Sequence, residues 1–256
     1  MTQKDDVIER LYLVLSGAHL PHFGVRCMRH GYSWKIPPRP SFVGDCEWPE
    51  GSDYHANVRL KTVLHQLWGR QEVDRFELSR WVVSDWGGVR GNRPETIFKY
   101  IDFAESSKVP AGLSGVASYS KILSIVQPER FAIYDARVAV AINAAQMMFG
   151  SPGMAFPYIP GRNKITGNSL SRQGFSQISD FSTAALVRRG WQEVPKANAY
   201  EIYLNLLQEL RERFSKSVKI FDMEMTFFSQ AEKLALEVAP NFIEVGARKE
   251  DEMRKR

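Results

Sequence analysis

Cysteine is nearly absent: the 256 residues include only Cys27 and Cys46, well separated, with no CxxC spacing and no histidine cluster. Zinc sites need thiolate and imidazole ligands at short, regular intervals, so no metal centre is expected, and no cofactor signature stands in its place. So few thiols suit a reducing compartment, and the expected location is cytoplasmic. Long apolar runs are also missing. No stretch reaches the roughly 18 apolar residues that a membrane helix needs, so no membrane partner is expected. The opening "MTQKDDVIERLYLVL" sets acidic residues before a short apolar patch, the reverse of a secretory signal. Histidines are few, and His19, His22, His30, His55 and His65 suggest no catalytic pair, which leaves a histidine-based hydrolase little support. Strand patterns are almost lacking: "FAIY" is short, and nothing alternates convincingly over a strand's length. No internal repeat is visible.

Helical periodicity fills the space the strands leave. The pattern predicts helices over about 5–16, 55–68, 71–85, 94–105, 116–126, 136–149, 175–189, 197–215 and 219–238. Pro94 and Glu95 form a proper start signal, and Gly87-Gly88 a stop. The expected fold class is therefore mostly α, one unit over 1–256 with two subdomains flanking a cleft. Two long loops interrupt it. Residues 21–52 are rich in Pro and Gly and carry Phe23, Tyr32, Trp34, Phe42 and Trp48, while 150–173 reads as a polar loop. Ordered loops of that length are usually functional. The end, "ARKEDEMRKR" (247–256), is a charged tail expected to fray.

The net charge of +5 is local. Residues 1–136 hold 17 basic against 16 acidic side chains, and 197–256 hold 10 against 11. Between Arg137 and Lys196 the count is 7 against 2, a difference of +5. A concentrated positive stretch suits a polyanion, of which the phosphate backbone of nucleic acid is the commonest. A solvated face is the plain alternative.

Residues 109–126, "VPAGLSGVASYSKILSIV", run from a small-residue turn (Gly112, Ser114, Gly115) into a helix. Such a turn bares backbone N–H groups at a helix N-terminus, where the dipole favours an anion. Twenty residues beyond Gly115, in "IYDARVAVAIN", comes Asp135 at another helix start. Asp135 can be a simple N-cap, or a carboxylate that stabilises the oxocarbenium-like charge formed when an N-glycosidic bond breaks; one residue can do both.

A glycine hairpin between helices, a short connector and an Asp after two apolar residues together resemble the helix-hairpin-helix DNA glycosylase superfamily, which includes endonuclease III and the 8-oxoguanine glycosylases. The likeness covers roughly 109–143, within a helix-hairpin-helix core of about 94–150. It implies a helix-hairpin-helix glycosylase-like fold, double-stranded DNA as partner, and Asp135 as the catalytic carboxylate. It also implies DNA contacts from Gly112, Ser114, Gly115, Ala117, Ser118 and Ser120, joined by Arg137, Arg162 and Lys164. With Gly115-Val116-Ala117 laid on the family's Gly-Val-Gly, Tyr119 holds the position of the Schiff-base lysine, and Lys121 lies two places further on. That register implies a monofunctional enzyme that leaves an abasic site, with Lys121 as the less favoured nucleophile. The departures are Ala117 for the second glycine and a shorter connector.

Such an enzyme must turn the nucleotide out of the duplex and read its base in a pocket. The loops "SDWGGVRGNRPET" and "IPGRNKITGN" offer Trp86, Arg90, Asn92 and Asn163 for that pocket. The set "WGG", "SYSK" and "IYDARV" is similar to one in bacterial proteins linked to phage defence, which would imply excision of a hypermodified base such as glucosylated hydroxymethylcytosine instead of a damaged one. Two other readings use the same residues: a non-catalytic helix-hairpin-helix DNA-binding module, and a helical protein-interaction domain that presents the 21–52 aromatics.

Overall fold

The computed structural model describes residues 3–169, 172–178 and 180–239. The tail at 247–256 lies outside the described residues. Among these the chain is mostly helical, with ten α-helices and only two-residue strands. The helices are α1 (Gln3–Ser16), α2 (Val25–Gly31), α3 (Tyr54–Trp68), α4 (Arg75–Trp81) and α5 (Pro94–Ser106). They continue with α6 (Val116–Val126), α7 (Ala136–Met147), α8 (Thr183–Arg188), α9 (Ala199–Arg213) and α10 (Ile220–Val238). No helix among the described residues is long and apolar enough to cross a membrane.

Helix α7 is the centre of the core. Ala136 and Val138 through Gln146 are all buried, and α10 and α1 pack against it. Its many alanines let those neighbours approach closely, while Asn143 and Gln146 turn their amides to a passing strand. Asn143 donates to Phe156 O at 2.8 Å and accepts from Phe156 N at 3.0 Å. Gln146 makes the same exchange with Met154, at 3.1 and 2.8 Å. The segment read as a polar loop thus begins as a buried apolar strip, with Ala155 and Phe156 wholly inside. Met154–Ala155 pairs in parallel with Gln192–Glu193, and a second short pair joins Asn168–Ser169 to Arg172–Gln173.

Three expected elements differ. The helix drawn over 71–85 starts only at Arg75, because Asp74 caps it by accepting from Phe76 and Glu77 N–H. It then widens into a π-turn, Val82–Trp86, closed by Gly87 N–H donating to Val82 O at 2.9 Å. Over 175–189 only Thr183–Arg188 is α-helical, capped by Ser182; Phe175 and Phe181 stack at 4.7 Å ahead of it. Within 21–52 a short helix, α2, follows Gly24, whose φ of 109° suits only glycine.

The α5–α6 hairpin closes through Gly115 at φ 77°, where a Cβ would fall 1.9 Å from the Tyr100 hydroxyl. After α6, residues 131–134 form no helix or strand and pair with no strand among the described residues. Its carbonyls are met by side chains instead: Tyr200 donates to Ala132 O and Tyr203 to Ile133 O, each at 3.0 Å. Ser120 accepts from Tyr134 N–H at 3.2 Å, and Tyr134 donates to Pro157 O at 2.9 Å. These bonds fix the start of α7, and Asp135 with it.

Candidate active site

A half-open cleft with a cavity volume of about 50 Å³ lies between the α6–α7 region, the π-turn and α10. Its walls are aromatic: Tyr32, Trp34, Trp86 and Phe228. Buried Asn57 on α3 braces both tryptophans, accepting from Trp86 Nε1 at 3.0 Å and donating to Trp34 O at 2.8 Å. Trp34 Nε1 donates in turn to Trp86 O at 2.8 Å. Trp34 meets Phe228 edge-on, with centroids 5.4 Å apart. Arg137 lies over the Phe228 ring at 4.7 Å and pairs with Glu232 at 3.1 Å.

The floor is charged, formed by Lys121, Asp135 and Glu224. Asp135 caps α7: Oδ1 accepts from Arg137 N–H at 3.0 Å and Val138 N–H at 3.1 Å. Oδ2 accepts no hydrogen bond among the described residues, so the cap and an exposed carboxylate oxygen coexist. Lys121 is buried, and its ammonium donates back to Ala117 O. Its stem lies against Gly87, where a Cβ would come within 2.4 Å of Lys121 Cδ; glycine there is a requirement of space. Burial holds the Lys121 amine below its ordinary pKa, the nearby Asp135 and Glu224 carboxylates oppose that shift, and Lys61 adds to it.

Glu224 is buried on α10 and pairs with equally buried Lys61 of α3 at 2.6 Å. Burial pushes its carboxyl above the usual carboxylate range, and Lys61 pulls it back. Burial also raises the Tyr32 hydroxyl, with the Glu224 and Asp135 charges acting in the same sense. Among the described residues no group of three or more His, Cys, Asp or Glu side chains could hold a metal ion.

The structure brings together Asp135, Lys121 and Trp86 from the residues expected at a site. Tyr119 is elsewhere. It is buried on another face of α6 among Tyr100, Phe103 and Tyr200, and its hydroxyl donates to Gly112 O at 3.1 Å. Tyr119, which the sequence register sets at the lysine position, thus has its side chain in the core, and Lys121 stands in the cleft. Trp86 is a fixed wall of the cleft, being buried and tied to Asn57.

Three of the expected phosphate contacts are turned inward. Gly112 N–H donates to Ala197 O, Ser118 Oγ accepts from Asn92, and Ser120 Oγ serves Tyr134. Ser114 and Gly115 remain exposed at the turn, with Ala117 half-buried behind them. Asn92 and Asn163 do not line the cleft. Asn92 ties its loop to α6, and Asn163 builds a turn, accepting from Ile165 and Thr166 N–H and donating to Glu232. Arg90, Arg162 and Lys164 are exposed, and Arg162 donates to Gly88 O beside the cleft residue Gly87.

Sequence reasoning missed Glu224, Lys61 and Phe228 and did not assign Tyr32 or Trp34 to a pocket. One signal was present: in "FDMEMTFF" a lone Glu sits among Met and Phe, on the face α10 buries. A buried carboxylate demands a cation, and nothing in the local sequence names Lys61 as that cation. Comparison of the chain with protein-family models, curated proteins and solved structures finds no match in any of the three.

Proposed function

We propose that this protein is a DNA glycosylase that receives a modified base, turned out of the duplex, in the aromatic cleft and breaks its N-glycosidic bond above Lys121 and Asp135. The carrying observation is the meeting of these two side chains at the floor of one cleft with aromatic walls. Asp135 follows the α5–α6 hairpin and caps the next helix, the arrangement that made the sequence resemble the helix-hairpin-helix glycosylases. Aromatic faces stack on a flipped base whatever its hydrogen-bonding edge. In this reading the exposed turn at Ser114 and Gly115 holds a phosphate, and Arg90, Arg162 and Lys164 supply backbone contacts nearby.

Lys121 replaces water as the nucleophile of the sequence-based expectation. A buried amine with a depressed pKa has a larger neutral fraction, and the neutral amine carries the attacking lone pair. That pair forms the bond to the deoxyribose C1′, and the glycosidic electrons leave with the base, which takes up a proton. Loss of a proton from the nitrogen and opening of the sugar ring give an imine between Lys121 and C1′. Water then releases an abasic site, or loss of a proton from C2′ expels the 3′-phosphate. Asp135 stabilises the positive charge on the sugar throughout.

The test is incubation with duplexes carrying damaged bases and hypermodified bases, followed by alkali to reveal abasic sites. Borohydride is added in parallel to reduce the imine. The expected result is base release from one class and a trapped adduct that Lys121→Ala abolishes. Release without any adduct would restore the monofunctional mechanism. A folded protein that binds duplex and releases nothing would leave a DNA-binding module, and one without DNA affinity at low salt an interaction domain.

A further inference from the structure

We infer that Glu224 is the specificity-determining residue of the cleft and that it selects a base with an amino group on its hydrogen-bonding edge over the keto counterpart. This inference rests on the proposed reading in taking the ligand to be a nucleobase.

The argument begins with a carboxylate where burial disfavours one. Glu224 is 2% exposed on α10, buried together with neighbours that include Met223, Met225, Thr226 and Phe227. A carboxylate in such a place needs compensation, and Lys61 supplies it at 2.6 Å through Oε2. If the pair served packing alone, apolar side chains of similar volume would do as well. Glu224 also lines the cleft, and its Oε1 accepts no hydrogen bond among the described residues. An acceptor is therefore held at the floor of a stacking pocket.

The neighbouring groups fix its sense. Lys61 draws Glu224 back towards the carboxylate form against the effect of burial, and a carboxylate has no proton to donate. The other floor groups are Asp135, also an acceptor, and Lys121, which burial shifts towards its neutral form. A ring entering between Trp34, Trp86, Tyr32 and Phe228 is received edge-on by an acceptor. An exocyclic amino group donates to it, and a keto oxygen in the same place repels it. A bidentate contact to a base edge discriminates by roughly 5- to 160-fold, and a single acceptor stands at the low end of that range.

Matched free bases test this without requiring catalysis. Cytosine against uracil and adenine against hypoxanthine each exchange an amino group for a keto group. Binding of each to the full chain is followed by saturation-transfer NMR, with dissociation constants taken from titrations into the millimolar range. Cytosine and adenine are expected to bind at least about 5-fold more tightly than their partners. Glu224→Gln, whose amide can also donate, should bring each ratio within about 2-fold. Lys61→Met/Glu224→Gln repeats the measurement without the unpaired ammonium, should the single variant fail to fold.

Equal binding within each pair, a keto preference, a preference surviving both variants, or no binding of any base would overturn the inference. The oligonucleotide assay above is read separately. An amino preference that vanishes in Glu224→Gln, with no base released from any duplex, would remove the glycosylase reading and leave the Glu224 assignment standing.

Discussion

Replacing Lys61 by Met leaves Glu224 buried without its cation, and the structure sets the size of the damage. Both side chains are almost wholly enclosed, at 5% and 3% exposure, and their charged atoms are 2.6 Å apart. Breaking one side of such a pair costs about 3–5 kcal/mol, because the remaining charge keeps its desolvation penalty. For a chain of this size each kcal/mol moves the melting temperature by about 2–4 °C, so Lys61→Met should melt roughly 6–20 °C lower at neutral pH. Glu224 already titrates above its ordinary value, and losing Lys61 raises it further. Between the unfolded and folded pKa values the folded state holds a proton that the unfolded chain lacks. The deficit is thus full above the folded value and shrinks as pH falls through it towards the ordinary carboxylate value. Lys61→Met/Glu224→Leu, which removes both charges, should recover most of the loss. Thermal unfolding by circular dichroism at several pH values, run on both singles and the double, supplies the cycle. A Lys61→Met deficit under about 1 kcal/mol, or a double variant that merely sums the singles, would refute the reasoning.

Other perturbations separate the roles of the remaining floor groups. Asp135→Asn preserves the α7 cap, since an Asn side-chain oxygen accepts the same two N–H bonds, so the melting temperature should stay within a few degrees. Base release should nonetheless fall by roughly 100-fold or more, because the charge opposing the oxocarbenium ion is gone; undiminished release with an intact fold would reduce Asp135 to a cap. The rate of borohydride trapping should rise with pH and level off below the ordinary lysine range, as the depressed Lys121 amine loses its proton. A rise that continues to the ordinary lysine value would show an amine unaffected by burial. Gly87→Ala puts a methyl where Lys121 Cδ lies and 2.8 Å from Val82 O. It should cost about 1–3 kcal/mol and displace the amine, lowering trapping more than duplex binding; equal losses in both would assign the defect to general instability.

The helices were legible wherever the chain states its own boundaries. Asp53 and Asp135 each cap a helix through a side-chain oxygen, and Pro94 opens α5, while the caps Asp74 and Ser182 were passed over and their helices drawn too long. Helix α6 runs over the residues its periodicity indicates, Val116–Val126. The misread elements depend on distant partners. The strip at 154–156 is buried because Asn143 and Gln146 reach across to its backbone, while the surrounding composition reads as polar loop. The π-turn adds one residue between Trp81 and Gly87, and no periodicity signals an insertion that long-range packing stabilises.

The site was legible in part, and the division has a geometric cause. The interval from the glycine turn to Asp135 is a local property, and both ends were found. Which face of α6 turns to the cleft is a global one. Tyr119 and Lys121 are two positions apart, about 200° around a helix, so a small error in register exchanges core for cleft. The structure resolves it through packing: Tyr119 fits among three aromatic rings, and the Lys121 stem passes over a glycine. Glu224 is the harder case, since it comes from α10, far along the chain, and meets the floor only in the folded state. Here energetics supply what pattern cannot. A Lys61–Glu224 pair could be exchanged for apolar packing at little cost, and Lys121 buried against its own helix weakens the fold further. Glu224 and Lys121 meeting on one aromatic cleft, with Lys61 behind Glu224, are hard to explain by stability, and easier by a ligand that completes their interactions. If that ligand is a base with an amino edge, its binding should stabilise the folded chain in proportion to its affinity, and Glu224→Gln should erase the difference between cytosine and uracil in the melting curve.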